Sequence, residues 1–307
     1  MSRKPDAILD RLGRPHRSKP DMPFHALVIG LTAFFILLIV GLLAANASFT
    51  SIEDIRSALA DEAIFASVRL SLVTCTITAL LSLLFAIPAG YVLARYRFPG
   101  RSIVDAIVDI PIVLPPLVVG ISLLILFNQT GPGRAIEAWF VSLVAWCNTT
   151  VPWLMEAMGL SRIQGITYDV PAVILGQFMV ASAFAVRTMR VTFDQIDPRR
   201  EQVALTLGCS RGQAVRRVVL PEARRGMVAA TTLAWSRAIG EFGPILVFAG
   251  ATRMKTEVLP TTIFLELSVG NIEAAVAVSL VMVAVALAIL ILARSLGLWT
   301  GRDHELK

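Results

Sequence analysis

Hydrophobic positions in this chain come in long, nearly unbroken runs instead of alternating with polar ones. The runs cover about residues 26–45, 65–93, 103–127, 170–186, 227–249 and 272–293, lengths near the roughly 20 apolar residues that a helix needs to cross a bilayer. In lipid every backbone N–H and C=O must be satisfied within its own segment, so such runs read as helices. The pattern predicts an all-α polytopic membrane protein with six transmembrane helices. Composition agrees: 56% of residues are hydrophobic, 16% are charged and the mean hydropathy is +0.72, well away from the balance of a soluble domain.

Polar segments divide the chain further. Residues 1–24 form a basic, proline-spotted tail, residues 25–295 the six-helix domain, and residues 296–307 a second tail. A basic region ahead of an apolar run also resembles a signal peptide. The run from Ala26 is too long for a signal core, and Ala45-Asn46-Ala47 offers only a weak cleavage site, so the run is read as the first span. Residues 128–168 are the longest outer loop. Its middle is apolar but broken by Glu137, Asn148, Thr149, Pro152 and Glu156. Reading that middle as a span would move the polar segment 187–226 to the outer side. It is therefore expected to be partly embedded, with Trp139, Trp146 and Trp153 at the lipid interface.

Charge fixes the orientation. Of the 28 Lys and Arg residues, 21 lie in the two tails, counted with Arg294 at the inner end of the last span, the loop at 95–101 and the segment 187–226, and 5 lie in outer loops. That asymmetry places both termini and residues 187–226 in the cytoplasm. The net charge of +6 is then a product of topology and implies no nucleic-acid partner.

Candidate chemistry is sparse. Cys75, Cys147 and Cys209 have no metal-ligand spacing, and His16, His25 and His304 all lie near the termini, so no metal, cofactor or catalytic site is expected. No phosphate-cradling Gly-x-x-x-x-Gly-Lys-Ser/Thr loop is present. Asp105 and Asp109 stand one turn apart at the inner end of the third span. They are expected to bridge to the basic loop ending at Arg101 in preference to serving as an acid/base pair. Pro111, Pro115 and Pro116 should kink that span and free carbonyls beside a pathway. Arg237 and Glu241 are four residues apart inside the fifth span, where an unpaired charge costs at least about 2.5 kcal/mol. They are expected to pair, either as a clamp between helices or facing a pathway.

The polar island Asp197–Pro221 has its own grammar. Asp197-Pro198 starts a helix, with Glu201 in the first turn where the dipole favours an anion. Gly208 should end it in the left-handed conformation, and Ser210 with Gln213 should open a second helix that Pro221 ends. The product is a compact cytoplasmic knob suited to a soluble partner.

The spacing of this island resembles the cytoplasmic loop of ABC importer permeases, written Glu-Ala-Ala, three residues, Gly, nine residues, Ile, one residue, Leu-Pro. Gln202, Val203 and Ala204 fall on the triplet, Gly208 on the glycine, and Val218, Leu220 and Pro221 on the ending. The triplet's glutamate is glutamine here, with Glu201 one position earlier. Arg237–Pro244 resembles the fifth-span motif of molybdate, tungstate and sulfate permeases. Asp109–Gly120 is similar to their third-span motif, and Thr252–Pro260 is most like the molybdate/tungstate branch. The resemblance covers about residues 65–295 apart from the outer segment 134–165. It implies a type I permease fold that pairs with an identical copy. It implies two ATPase subunits at the knob, an extracytoplasmic oxyanion-binding protein outside, and oxyanion import by alternating access, for molybdate or tungstate, with sulfate or thiosulfate the alternative. Two other classes stand beside it. A membrane enzyme would need a nucleophile or metal cluster in the bundle, and a secondary transporter an intramembrane coupling site without the knob.

Overall fold

The computed structural model describes residues 22–150, 152 and 163–302. Most of the 1–24 tail, together with Trp153 and Glu156 of the outer segment, lies outside the described residues. The described residues are helical nearly throughout, and no strand occurs among them. The chain divides into two units, residues 1–49 and 50–307.

The first unit contributes α1 (Met22–Phe49), an apolar helix with no buried residue among the described side chains from Phe24 to Phe49. The second opens with α2 (Ile52–Ala60), started by a reciprocal capping box between Ser51 and Asp54. Asp61 ends α2 and caps α3 (Glu62–Arg95), its carboxylate accepting from the N–H groups of Ala63 and Ile64.

The core of this unit is α3 packed along α7 (Val170–Gln195), with α10 (Leu220–Ile239) laid against both. In lipid no hydrophobic force drives helices together, so close approach and polar contacts must do so. The buried face of α3 is accordingly small and hydroxylated: Ser67, Ser71, Thr74, Thr78 and Ser82, then Ala86 and Gly90. Thr78 donates to Gln177 Oε1 at 3.1 Å, Gln177 Nε2 lies 3.5 Å from Cys75 Sγ, and Ser71 accepts from Leu259 N–H at 2.8 Å. A second apolar cluster joins Val119, Leu123 and Phe127 to Val173, Ile245 and Phe248. α12 (Ile272–Arg302) packs on α10 and on α11 (Leu259–Ser268).

Four described helices are long and apolar enough to span a membrane, within 24–49, 62–95, 170–195 and 272–292. The third predicted span is not one kinked rod. It is α4 (Arg101–Val113) and α5 (Pro116–Gln129), meeting at a bend of 110°. Pro115 and Pro116 remove two consecutive donors, and the residue before each is pushed out of the helical region, so the rod breaks instead of bending. The fifth predicted span also differs: α10 stops at Ile239, and the chain reaches a π turn at Ile245–Ala249 through Gly240–Pro244. α6 (Gly131–Thr150) occupies the outer segment and is not among the spanning helices. Trp139 and Trp146 are both largely exposed on it.

Candidate functional site

The two breaks meet. Gly120 and Gly243 let them interlock: a Cβ on Gly120 would come within 2.9 Å of Pro244 Cα, and one on Gly243 within 2.9 Å of Leu117 N. Only bare backbone fits at these crossings. Between them lies a cavity of about 290 Å³ lined by Pro115, Pro116, Leu117, Arg237, Glu241 and Phe242. Pro111, expected to belong with the other prolines, sits inside α4 and does not line it.

Arg237 Nη2 and Glu241 Oε1 are 2.8 Å apart, so the predicted pair forms. The predicted setting needs correction. Arg237 is in the last turn of α10 instead of halfway along a span, and Glu241 follows the helix end at Gly240. Gly240 and Pro244 bracket the unwound segment, and the first of them ends the helix that the apolar pattern alone would have continued. Exposure divides the pair unequally: Glu241 is 1% exposed and Arg237 31%. The carboxylate is thus fixed inside the protein, while the Arg237 side chain is half-buried at the cavity wall. Arginine's five donors in a planar fork suit a second acceptor beside the first.

Asp105 does not bridge to the loop ending at Arg101. It pairs with Arg190 of α7, which also lies 3.9 Å from Asp194. The long-range partner wins because α7 runs on to Gln195, past the predicted end of its span, and carries Arg190 alongside α4.

The polar island folds as the capping residues dictate. Asp197 caps α8 (Pro198–Thr206), accepting from Arg199 N–H at 2.9 Å. Gly208 has φ of +87°, with Cys209 N–H on Ala204 C=O and Gly208 N–H on Leu205 C=O, a Schellman ending. Ser210 and Gln213 make the capping box of α9 (Arg211–Ala214). Pro221 does not end the second helix, contrary to expectation. The backbone passes through a π turn at Val215–Val219, and Leu220 and Pro221 open α10. The wider turn moves the proline into a first turn, where a missing N–H is tolerated. Gln202, Val203 and Leu207 are exposed on the knob, and Ala204 is buried beneath it.

Glu201 faces inward. It accepts from Tyr91 Oη at 2.5 Å, and its other oxygen lies 3.8 Å from Arg95 Nε. Tyr91 and Arg95 are residues that sequence reasoning missed. A tyrosine 110 positions from its acceptor carries no local signal, and Arg95 registered only as one of the inner positive charges. Glu137 was likewise missed as a contact: it accepts from Ile166 N–H at 2.9 Å and pins α6 to the approach of α7.

Helices broken in this way, with an arginine and a buried glutamate beside the cavity where the breaks meet, are the kind of interruption that transporters use at substrate pathways. The chain belongs to the family of binding-protein-dependent transport system inner membrane components, whose model matches residues 86–300. It is 29% identical over 266 residues to a sulfate transport system permease protein of Salmonella typhimurium, covering 85% of this chain and 88% of that one. It is 33% identical over 271 residues to a probable molybdenum ABC transporter permease protein of Haloferax volcanii, covering 88% of each. Among solved structures, a bacterial alginate ABC transporter with its periplasmic protein superposes with a TM-score of 0.64 at 18% identity, over 89% of this chain and 93% of that one. That likeness is one of fold.

Proposed function

We propose that this chain is the permease subunit of an ATP-driven importer for a tetrahedral oxyanion, molybdate or tungstate in the first place. The observation that carries the reading is the Arg237 cavity. An arginine beside this cavity whose charge is partly offset by a buried carboxylate 2.8 Å away would attract a dianion without holding it tightly, and a pathway must release what it binds. In this reading two ATPase subunits seat on the knob at Asp197–Pro221, a second copy of the chain completes the pathway, and an anion-loaded binding protein docks on the outer loops. ATP binding draws the knobs together and shifts the equilibrium from an inward-open to an outward-open state, because ATP binds the second state better. The chain itself hydrolyses nothing. Sulfate is the second reading, supported by the similarity to the Salmonella sulfate permease.

The test is uptake of labelled molybdate into proteoliposomes holding the permease with the ATPase and binding protein produced alongside it. Uptake that needs ATP and the binding protein, and that tungstate inhibits more strongly than sulfate, is the expected result. Inhibition by sulfate alone would move the assignment to the second reading. ATP-independent uptake driven by an ion gradient would overturn the importer reading altogether.

A further inference from the structure

The knob is fastened to the membrane domain in two places by two adjacent residues of α8. Arg200 pairs with Glu222 of α10 on an open surface, Arg200 being 61% exposed. Exposed pairs of this kind contribute little. Glu201 is different: its side chain is 13% exposed, one oxygen is hydrogen-bonded from α3 and the other faces an arginine of the same helix. Tyr91 Oη donates to one at 2.5 Å, and Arg95 Nε stands 3.8 Å from the other. Both partners are themselves braced against α7. The Tyr91 ring packs edge-on to Phe193 with centroids 5.7 Å apart, and Arg95 Nη2 donates to Ile196 C=O at 2.8 Å. The remaining packing of α8 is onto α9 and the π turn. One carboxylate therefore joins the first turn of α8 to the last turn of a 34-residue helix that runs through the core of the membrane domain.

We infer that Glu201 is a positioning residue that transmits displacement of the knob to α3, and not a contact with the ATPase. The inference rests on the proposed reading of the knob as the ATPase's seat. It also accounts for the departure at the triplet. Gln202 occupies the glutamate's place and is exposed, while the one carboxylate of α8 turns inward. The link has room for two seatings. The buried Arg95 Nε has no hydrogen-bond partner, and a shift of α8 by about 1 Å would bring Glu201 within bonding distance of it. Movement of the knob can thus trade a tyrosine bond for an arginine bond without breaking contact with α3.

The experiment uses the whole complex of permease and ATPase in proteoliposomes, with Tyr91→Phe, Glu201→Gln and the double variant. Three quantities are read: complex yield, basal ATPase rate, and stimulation of that rate by anion-loaded binding protein. Tyr91→Phe should leave yield and basal rate at wild-type values and lower the stimulation roughly tenfold, the loss of one hydrogen bond to a charged group. The double variant should be no worse than the poorer single one, since both remove the same link. A merely structural role would lower yield and leave the ratio of stimulated to basal rate unchanged, which overturns the inference. So does Glu201→Gln shedding the ATPase while Tyr91→Phe behaves as wild type, because the carboxylate would then sit at the ATPase interface. A wild-type permease that retains no ATPase would sink the reading beneath, and is seen before any variant is made.

Discussion

Arg237 and Glu241 show how little separates a structural charge from a functional one. Arg237→Ala leaves Glu241 fully buried with no counter-charge, and breaking a buried pair in this way costs about 3 kcal/mol or more. Yield of the assembled complex should fall severely. Arg237→Leu combined with Glu241→Leu removes both charges and should recover the yield. If Arg237 also attracts the anion, the double variant assembles yet imports poorly, and normal uptake by it would confine the pair to a clamp. A second residue-scale prediction concerns Glu257, in the loop before α11. Burial raises its pKa, with Glu266 and Asp61 adding to the rise, and Thr262 and Arg253 opposing it. The folded protein therefore holds a proton that the unfolded chain has already released. That contribution is complete below the unfolded value and is lost as pH climbs through the raised one. Glu257→Gln should flatten the fall in thermal stability in detergent as pH rises above the ordinary carboxylate value of 4.5; an unchanged slope would remove Glu257 as its source. At this scale the sequence revealed the Arg237–Glu241 pair, because two charges four residues apart stay within reach even though the helix ends between them. It concealed Tyr91 with Glu201 and Asp105 with Arg190, because those contacts exist only once the helices are side by side.

Elements were legible where a local rule decides them. Asp197, Gly208, Ser210 and Gln213 each act within one turn, and each stands where the spacing put it. Breaks in the spans were less legible. A proline announces a disturbance but not its size, which neighbouring backbone settles: Pro115–Pro116 became a 110° bend because Gly243 lets the other broken segment fill the gap. Pro221 went the opposite way, because the π turn preceding it absorbed the misfit. Gly208→Val tests the element where the rule was clearest. A β-branched residue at φ of +87° costs about 1–2 kcal/mol, enough to reorient α9 against α8 while every span stays intact. Membrane insertion should be normal and ATP hydrolysis should continue without import. A Gly208→Val permease that imports as well as wild type would remove the knob from the coupling path.

On the scale of the whole molecule, the orientation rests on charge asymmetry, and chemistry at two positions can test it. Composition made a helical membrane protein legible at once, since backbone in lipid has few alternatives. The number of crossings was harder to read. α10 carries Glu222, Arg224, Arg225 and Arg237 and does not pass as an apolar span, although the segment leading from it ends in the buried Ile245 and Phe248. Its charged residues are tolerable because they lie at its two ends, three in the turns after Pro221 (Glu222, Arg224 and Arg225) and one at the cavity (Arg237). If that segment crosses the membrane, Gln213 and Lys255 lie on opposite sides. In a variant stripped of its native cysteines, Gln213→Cys should react only with reagents that enter the cell. Lys255→Cys, at a half-exposed position 3.4 Å from Asp169, should react with an impermeant maleimide added outside. Equal labelling of both positions in intact cells would mean that residues 220–249 return to the side they left. The knob would then be separated from the cytoplasm, and the ATP-driven reading would lose its footing.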